Sequence, residues 1–421
     1  METEMTIAAN YSLFNEASWT GNSTIGTVSD VLNCMTSAIN SWAAVLAGSA
    51  NVNIEVHLMT TAQLAANAVS SDPRTIAAAR PGARQYVGTT PYAGYMLEEP
   101  TIAYELRTGT NPNGSGADAI VYINTDKLGS STWIDKNALT DGSSAAVPAN
   151  MNDLKTVLMH ELYHAFGFSG YLSDTRSVNY GSYESPFDLY VDPNSGAPEF
   201  VGQNAEVLYG SAVPLDNVYY SYHVLQGIPD LMDAVATAGV RVAPSALDLA
   251  IAADLGLGTG RNDILNADSY HPRVVAGAGN DTIGFSSWLG VVGRVNVDGG
   301  GGVDTLDLSN TFSISATKSQ VSNGSWLISD NSTGITWNVT GVEKVHFLDK
   351  TVALRDAARS DISGDGTSDV IWFNSATRSI SYYELNPAGG YTWHNIGGVA
   401  AGYTPLMGDF NGDGRSDILW S

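Results

Sequence analysis

The sequence predicts an α+β domain followed by two β-rich segments built from repeats. Three observations carry that reading. Two capped helical patterns lie within residues 1–257, glycine- and aspartate-rich segments recur over 258–356, and a twelve-residue segment appears twice within 357–421.

A chain of 421 residues exceeds what one hydrophobic core usually serves, so two or three domains are expected. In the first, Val28, Val31, Met35, Ile39 and Trp42 recur at helical spacing and predict a helix near 26–47. Strands are expected near 51–59 and 117–124. Leu154, Leu158, Leu162 and Ala165 then fall at i, i+4, i+8 and i+11 behind Asn152 or Asp153 as N-cap, and Gly167 supplies the stop. A further helix over about 246–255 starts behind Ser245 and ends before Gly256. The stretch 168–243 between these helices is irregular and rich in Tyr, Pro, Asp and Gly, and loops of that size are usually functional or form a subdomain.

Charge and cysteine usage narrow the function. The formal charge of −24, on only 15% charged residues, reflects scarce Lys and Arg. It argues against a nucleic-acid partner and leaves carboxylates available for a divalent cation such as calcium. Cys34 is the single cysteine, so there is no internal disulfide framework. Its apolar surroundings predict a buried structural thiol; a thiolate that blocks a metal is the sharper alternative, and no motif supports it. No apolar run reaches the length of a membrane span, and residues 1–10 lack a basic and then apolar leader, so export would use a signal placed elsewhere or one already removed.

His160-Glu161-Leu162-Tyr163-His164 sets two imidazoles one helical turn apart on one face, where both reach a single metal. Glu161 projects beside the open coordination position, able to take a proton from an attacking water and return it to a departing amine. Five residues alone are moderately specific, but here they lie mid-helix behind a cap and ahead of a glycine stop. A solvated pair of histidines or a site that has lost its metal are the alternatives.

HELYHAFGF at 160–168 resembles the zinc helix of the metzincin peptidases, whose motif continues as HExxHxxGxxH or HExxHxxGxxD. Gly167 matches the glycine at which the chain turns away. Three residues on stands Gly170, which cannot bind a metal, so the serralysin or matrixin layout is excluded. The chain is instead similar to the leishmanolysin-like branch, in which an insertion precedes the third histidine. YYSYHVLQGIPDLMDAV at 219–235 looks like that place. The resemblance implies His223 as third zinc ligand and Met232 as the methionine beneath the metal, with SALDLAIAADLGL at 245–257 as closing helix. Glu184, Asp174 and Asp188 remain rivals for the third position, although Glu184 stands near a proline without helical periodicity. His57 reads as a core or edge residue of a strand, and His271, His346 and His394 as surface residues. Tyr219, Tyr220 and Tyr222 suit cleft lining and aromatic packing equally.

GTGRNDIL at 258–265, AGAGNDTI at 276–283 and GGGGVDTL at 299–306 align Asp263, Asp281 and Asp304, 18 and then 23 residues apart. Glycines permit tight turns, while aspartate and carbonyl oxygens suit calcium. These segments resemble the nonapeptide (RTX-type) calcium repeats of exported bacterial toxins and of serralysin C-terminal domains. That resemblance implies a β-roll-like domain with calcium at the three aspartates, and GVEKVHFLDKTVAL at 341–354 is similar to its closing strand pair. Ala276 and Arg261 replace glycines of the pattern, and plain turn chemistry is the alternative. DISGDGTSDVIW at 361–372 returns 48 residues later as DFNGDGRSDILW at 409–420. Asp361, Ser363, Asp365 and Asp369, then Asp409, Asn411, Asp413 and Asp417, offer oxygens at positions 1, 3, 5 and 9 without the glutamate of an EF-hand. They are similar to the calcium loops of integrin-like FG-GAP or VCBS repeats, which implies a fragment of a β-propeller-type array.

Together these readings predict a secreted bacterial zinc metalloendopeptidase, monomeric, with catalytic zinc, structural calcium and a protein or peptide substrate, without a membrane span and exported through a C-terminal signal. A calcium-dependent surface-binding adhesin with an inactive peptidase domain is the alternative from another class. A zinc amidase acting on small substrates is a further one.

Overall fold

The computed structural model describes residues 6–90, 94–141, 146–171, 182–192, 197–216, 222–228, 230–267, 272–285, 293–322, 324–354, 362–363, 368–385, 390–408, 410 and 416–421. It is rich in β-structure, with few helices.

The first part is built on strands β1 (Thr6–Phe14), β2 (Ser49–Met59), β3 (Ala77–Pro81) and β4 (Ala119–Asn124), in the order β1-β2-β4-β3. The first three in that order run parallel, and β3 is antiparallel at the edge. In β2 the residues Val52, Ile54, Val56 and Leu58 alternate into the core, the period-two pattern of a strand with one buried face. Each such side chain contributes about 1.5–3 kcal/mol of burial. Helices α1 (Val28–Ala43), α2 (Thr101–Thr108) and α3 (Leu154–Phe166) pack around this sheet, and α4 (Ala246–Asp254) joins the same core. Helix α1 is shorter than its apolar pattern because Thr27 and Asp30 close a capping box at its start and the chain leaves the helix at Ala44. Against α3 it places the Trp42 ring 4.6 Å from that of Tyr163 and donates Trp42 Nε1–H to the Met159 carbonyl at 3.0 Å.

Strands β1 and β3 and helix α2, among others, escape the sequence reading. Strand β3 is Ala-Ala-Ala-Arg-Pro, a composition with little strand propensity, and it is held by pairing with β4. Helix α2 follows Pro100 with no side-chain cap and is fixed by the buried residues Ile102, Ala103 and Leu106. The stretch 168–243 carries short strands at Tyr183–Glu184, Val191–Asp192, Glu199–Phe200 and Val213–Pro214 and a helix at Gln203–Tyr209.

From residue 264 the chain winds between two sheets. Strands β5 (Ile264–Ala267), β7 (Thr282–Phe285), β9 (Thr305–Leu308), β13 (Lys344–Phe347) and β14 (Thr351–Ala353) form one. Strands β6 (Arg273–Val275), β8 (Arg294–Asp298), β10 (Ala316–Ser322), β11 (Ser325–Asp330) and β12 (Ile335–Thr340) form the other, in the order β6-β8-β12-β11-β10. Successive coils stack in parallel register, Leu265 on Ile283 on Leu306 on Val345 and Val274 on Val297 on Val339, and these side chains fill a second core. The hairpin of β10 and β11 is inserted into one coil. Beyond it, β15 (Val370–Asn374), β16 (Ser379–Leu385) and β17 (Tyr391–Gly398) make an antiparallel meander, followed by the hairpin of β18 (Pro405–Gly408) and β19 (Asp417–Trp420). Among the described residues no helix is long and apolar enough to cross a membrane.

Candidate metal centre

Helix α3 turns Leu154, Leu158, Leu162 and Ala165 into the core, which leaves His160 and His164 on the opposite side one turn apart. Asp153 caps it, accepting from Thr156 N–H at 3.0 Å, and Gly167 ends it at φ +142°, a conformation that favours glycine. The chain then returns with His223. His164 Nε2 lies 3.2 Å from His160 Nε2 and 3.3 Å from His223 Nε2, and the ligand atoms of all three lie within 4.8 Å of one another. The rings of His160 and His223 are stacked, with centroids 5.1 Å apart, and His164 stands nearly perpendicular to both.

Second contacts fix the tautomers. His160 Nδ1–H donates to the Leu231 carbonyl and His164 Nδ1–H to the Phe168 carbonyl, each at 2.8 Å, so each Nε2 lone pair is turned inward. Burial pulls the pKa of both imidazoles below the usual value, and for His164 the neighbouring His160 and His223 add to it, so neutral ligands converge. Burial pushes the Glu161 carboxyl up to about 8, partly opposed by a hydrogen bond from the Ala79 backbone on β3. The arrangement can hold one cation with a carboxyl beside it.

The turn 230–233 supports the group at two points, the His160 imidazole and the backbone beside His223. Its Leu231 carbonyl holds His160, and its Met232 carbonyl accepts from Val224 N–H at 3.1 Å, next to His223. Met232 is fully buried in that turn. Gly170 has a steric role: a Cβ there would collide with the Asp188 carboxyl. Asp188 is itself committed to the loop, accepting from Tyr171 N–H, Ser185 N–H and the Ser185 hydroxyl at 2.8–2.9 Å. Neither Asp188 nor Glu184 belongs to the histidine group, and Asp174 lies outside the described residues. Tyr222 packs on Phe187; Tyr219 and Tyr220 lie outside the described residues.

Three supports went unseen in the sequence. Arg241, buried, binds Asp153 through Nε and Nη2 and Asp135 through Nη2, each at 2.8 Å, which ties the chain beyond the turn to the cap of α3. Asp230 accepts from Met232 N–H at 3.0 Å and, together with Asp248, knots the turn to α4. Asp248 is the N3 residue of the capping box begun by Ser245, the one signal that marked it. Cys34 is buried with its thiol donating to the Asp135 carbonyl at 3.4 Å, and burial pushes its pKa up to about 12.

In the wound domain Asp263, Asp281 and Asp304 form a column. Asp263 N–H donates to Asp281 Oδ1 and Asp281 N–H to Asp304 Oδ1, both at 2.8 Å, and Asp304 N–H to Glu343 Oε2 at 2.7 Å. Glu343 thus completes the series; like the three aspartates, it directly precedes a strand of the first sheet. Asp281 Oδ2 and Asp304 Oδ2 are buried without a hydrogen-bond partner, and burial pushes Asp263, Asp281 and Asp304 up to about 6, 7 and 6. Gly302, at φ +139°, passes so close to the Gly279 carbonyl that a Cβ would not fit.

Near the C-terminus Asp369 Oδ2 accepts from Ile362 N–H at 2.8 Å, and 48 residues later Asp417 Oδ2 accepts from Phe410 N–H at 3.0 Å. The same fold-back closes both copies. Residues 361–420 carry an FG-GAP-like repeat. In it Asp369 also takes Ser363 N–H at 2.9 Å, so this ninth-position aspartate holds the backbone at residues 362 and 363. Asp361, Asp365, Asp409, Asn411 and Asp413 of the repeat lie outside the described residues. Comparison of the chain with curated proteins gives no match. Of the other histidines, His57 bonds Glu16 at 2.6 Å on the β2 strand, His346 bonds Thr351, His394 of the repeat bonds Glu384, and His271 lies outside the described residues.

Proposed function

We propose that this chain is a zinc-dependent endopeptidase of metzincin kind, with leishmanolysin-like ligand spacing, in which His160, His164 and His223 hold the metal and Glu161 is the general base. One observation carries the reading. Tetrahedral zinc with Zn–N bonds of about 2.0–2.1 Å holds its nitrogens about 3.3–3.4 Å apart, and the Nε2 separations here are 3.2 and 3.3 Å. Neutral imidazoles with Nδ1–H committed to carbonyls suit that ion. Zinc, when bound, supplies a Lewis acid that polarises a carbonyl and acidifies water.

The remaining chemistry belongs to side chains of α3 and to the sheet. Glu161, adjacent to His160 on α3, takes a proton from the attacking water and delivers it to the departing amine. Strand β3 is the outer strand of its sheet and touches Glu161 through Ala79, so an extended peptide pairing along β3 brings its carbonyl to the centre. In the same reading Asp263, Asp281, Asp304 and Glu343 take calcium between coils, which suits work in a calcium-rich medium outside the cell.

A peptide library incubated with the full chain, with and without chelator, tests this, with product sequencing as the readout. Cleavage is expected only without chelator, and Glu161→Gln should retain zinc while losing at least about 10²–10⁴-fold in rate. Cleavage by Glu161→Gln at the parental rate would overturn the proposal.

A further inference from the structure

Asp230 and Asp248 are buried carboxyls in contact, one in the turn beneath the candidate centre and the other in the first turn of α4. Two carboxylates cannot share such a space while both are charged. The surrounding bonds show how the conflict is met. Asp230 uses its oxygens to accept from Met232 N–H at 3.0 Å and from the Ser245 hydroxyl at 2.5 Å. Asp248 Oδ2 accepts from Ser245 N–H at 2.6 Å, which leaves Oδ1 buried without a donor. A proton on Oδ1 gives that atom a role, as donor to Asp230.

We infer that Asp230 and Asp248 share one proton, and that this pair is the strut that holds the turn 230–233 against His160 and His223. The inference rests on the zinc reading above for its functional meaning, and on the contacts alone for its chemistry. The turn holds the His160 imidazole through the Leu231 carbonyl and the backbone beside His223 through the Met232 carbonyl, and Asp230 is its side-chain link to α4. Asp230 and Asp248 are therefore positioning residues. The other titratable groups around them are His160 and Tyr163 on α3, Asp233 in the turn and Asp254 at the end of α4. Tyr163 keeps its proton, because burial and these carboxylates raise its pKa, and donates it to the Asp248 carbonyl at 2.6 Å.

The direction with pH follows. Burial first, then Asp230, raises the Asp248 pKa in the folded chain well above its ordinary value. Stabilisation from the pair is thus complete below the unfolded carboxyl pKa and is lost as pH rises through the folded one. Asp248→Asn replaces the shared proton by an amide N–H that cannot leave, so it should keep zinc affinity at neutral pH within about threefold of the parent. It should also make the alkaline decline in the thermal midpoint of the metal-free protein shallower than the parent's, the remainder belonging to Glu161 and the coil aspartates. Asp248→Ala removes the donor and should weaken zinc binding about 10- to 100-fold, the usual effect of losing an outer support of a ligand.

Zinc competition against a chromophoric chelator and unfolding curves of the metal-free full chain from acid to alkaline pH provide the two readouts. An Asp248→Asn variant with the same alkaline decline as the parent overturns the shared proton. Parental zinc affinity in Asp248→Ala overturns the strut. If the parent itself takes up no zinc, the proposed function fails, and the proton-sharing pair stands or falls on the metal-free curves.

Discussion

Replacing Arg241 with methionine tests whether the cap of α3 depends on a buried charge. The guanidinium is 3% exposed, and its partners Asp135 and Asp153 are 1% and 0% exposed. Methionine keeps much of the volume but removes the cation hydrogen-bonded to both buried carboxylates, leaving only Lys155, which makes no hydrogen bond to them, to offset their charge. Removing one partner of a buried ion pair costs about 3–5 kcal/mol, most of it from the charge left behind. For a domain of this size each kcal/mol lowers the thermal midpoint by about 2–4 °C, so a drop of about 6–20 °C is expected. Asp135→Asn added to Arg241→Met should recover at least about 1 kcal/mol, because one stranded charge disappears, whereas Asp135→Asn alone should destabilise. Thermal unfolding of the parent, both single variants and the double variant closes the cycle. A midpoint drop under about 2 °C for Arg241→Met, or a double variant weaker than Arg241→Met, would refute the reasoning.

His223→Ala should lower zinc content and abolish peptide cleavage, while Glu184→Ala retains both; metal analysis of the two purified variants checks it, and zinc loss confined to Glu184→Ala would reassign the third ligand. In the coil column the folded pKa values of about 6, 7 and 6 lie above the unfolded carboxyl value. Metal-free stability should therefore fall as pH rises from about 4 to 7. Asp281→Asn removes that charge and keeps an Oδ1 acceptor for Asp263 N–H, so in chelator at neutral pH it should be more stable than the parent by on the order of 1–2 kcal/mol. In calcium the order should reverse. Unfolding curves in both conditions decide it, and an unchanged order in calcium removes the proposed calcium site.

Much of helix α3 was legible because its determinants are local. Asp153, the leucines of α3, His160, His164 and Gly167 fall within fifteen residues, and helical geometry orders them without tertiary information. Strand β2 was equally plain from its alternation. His223 is a different case, since nothing within its own segment points to a metal and only the family resemblance led to it. Arg241 could not be found: its partners lie 88 and 106 residues away, and an isolated arginine in a loop carries no pattern. Glu343 was hidden by chemistry and by distance, a glutamate among aspartates set 39 residues beyond Asp304 by the inserted hairpin.

The winding of the coils has an asymmetry with consequences for how such a domain can vary. From the aligned strand positions Val275, Asp298 and Thr340, the chain reaches Asp281, Asp304 and Glu343 in six, six and three residues. The opposite arms, from Asp263 to Val275, Asp281 to Asp298 and Asp304 to Thr340, take 12, 17 and 36. The domain is therefore a comb, with a spine whose hydrogen bonds fix each step and teeth of differing length. Whole hairpins can be grafted onto the teeth without disturbing the column, so novelty has a place to accumulate on one side while the other preserves the register.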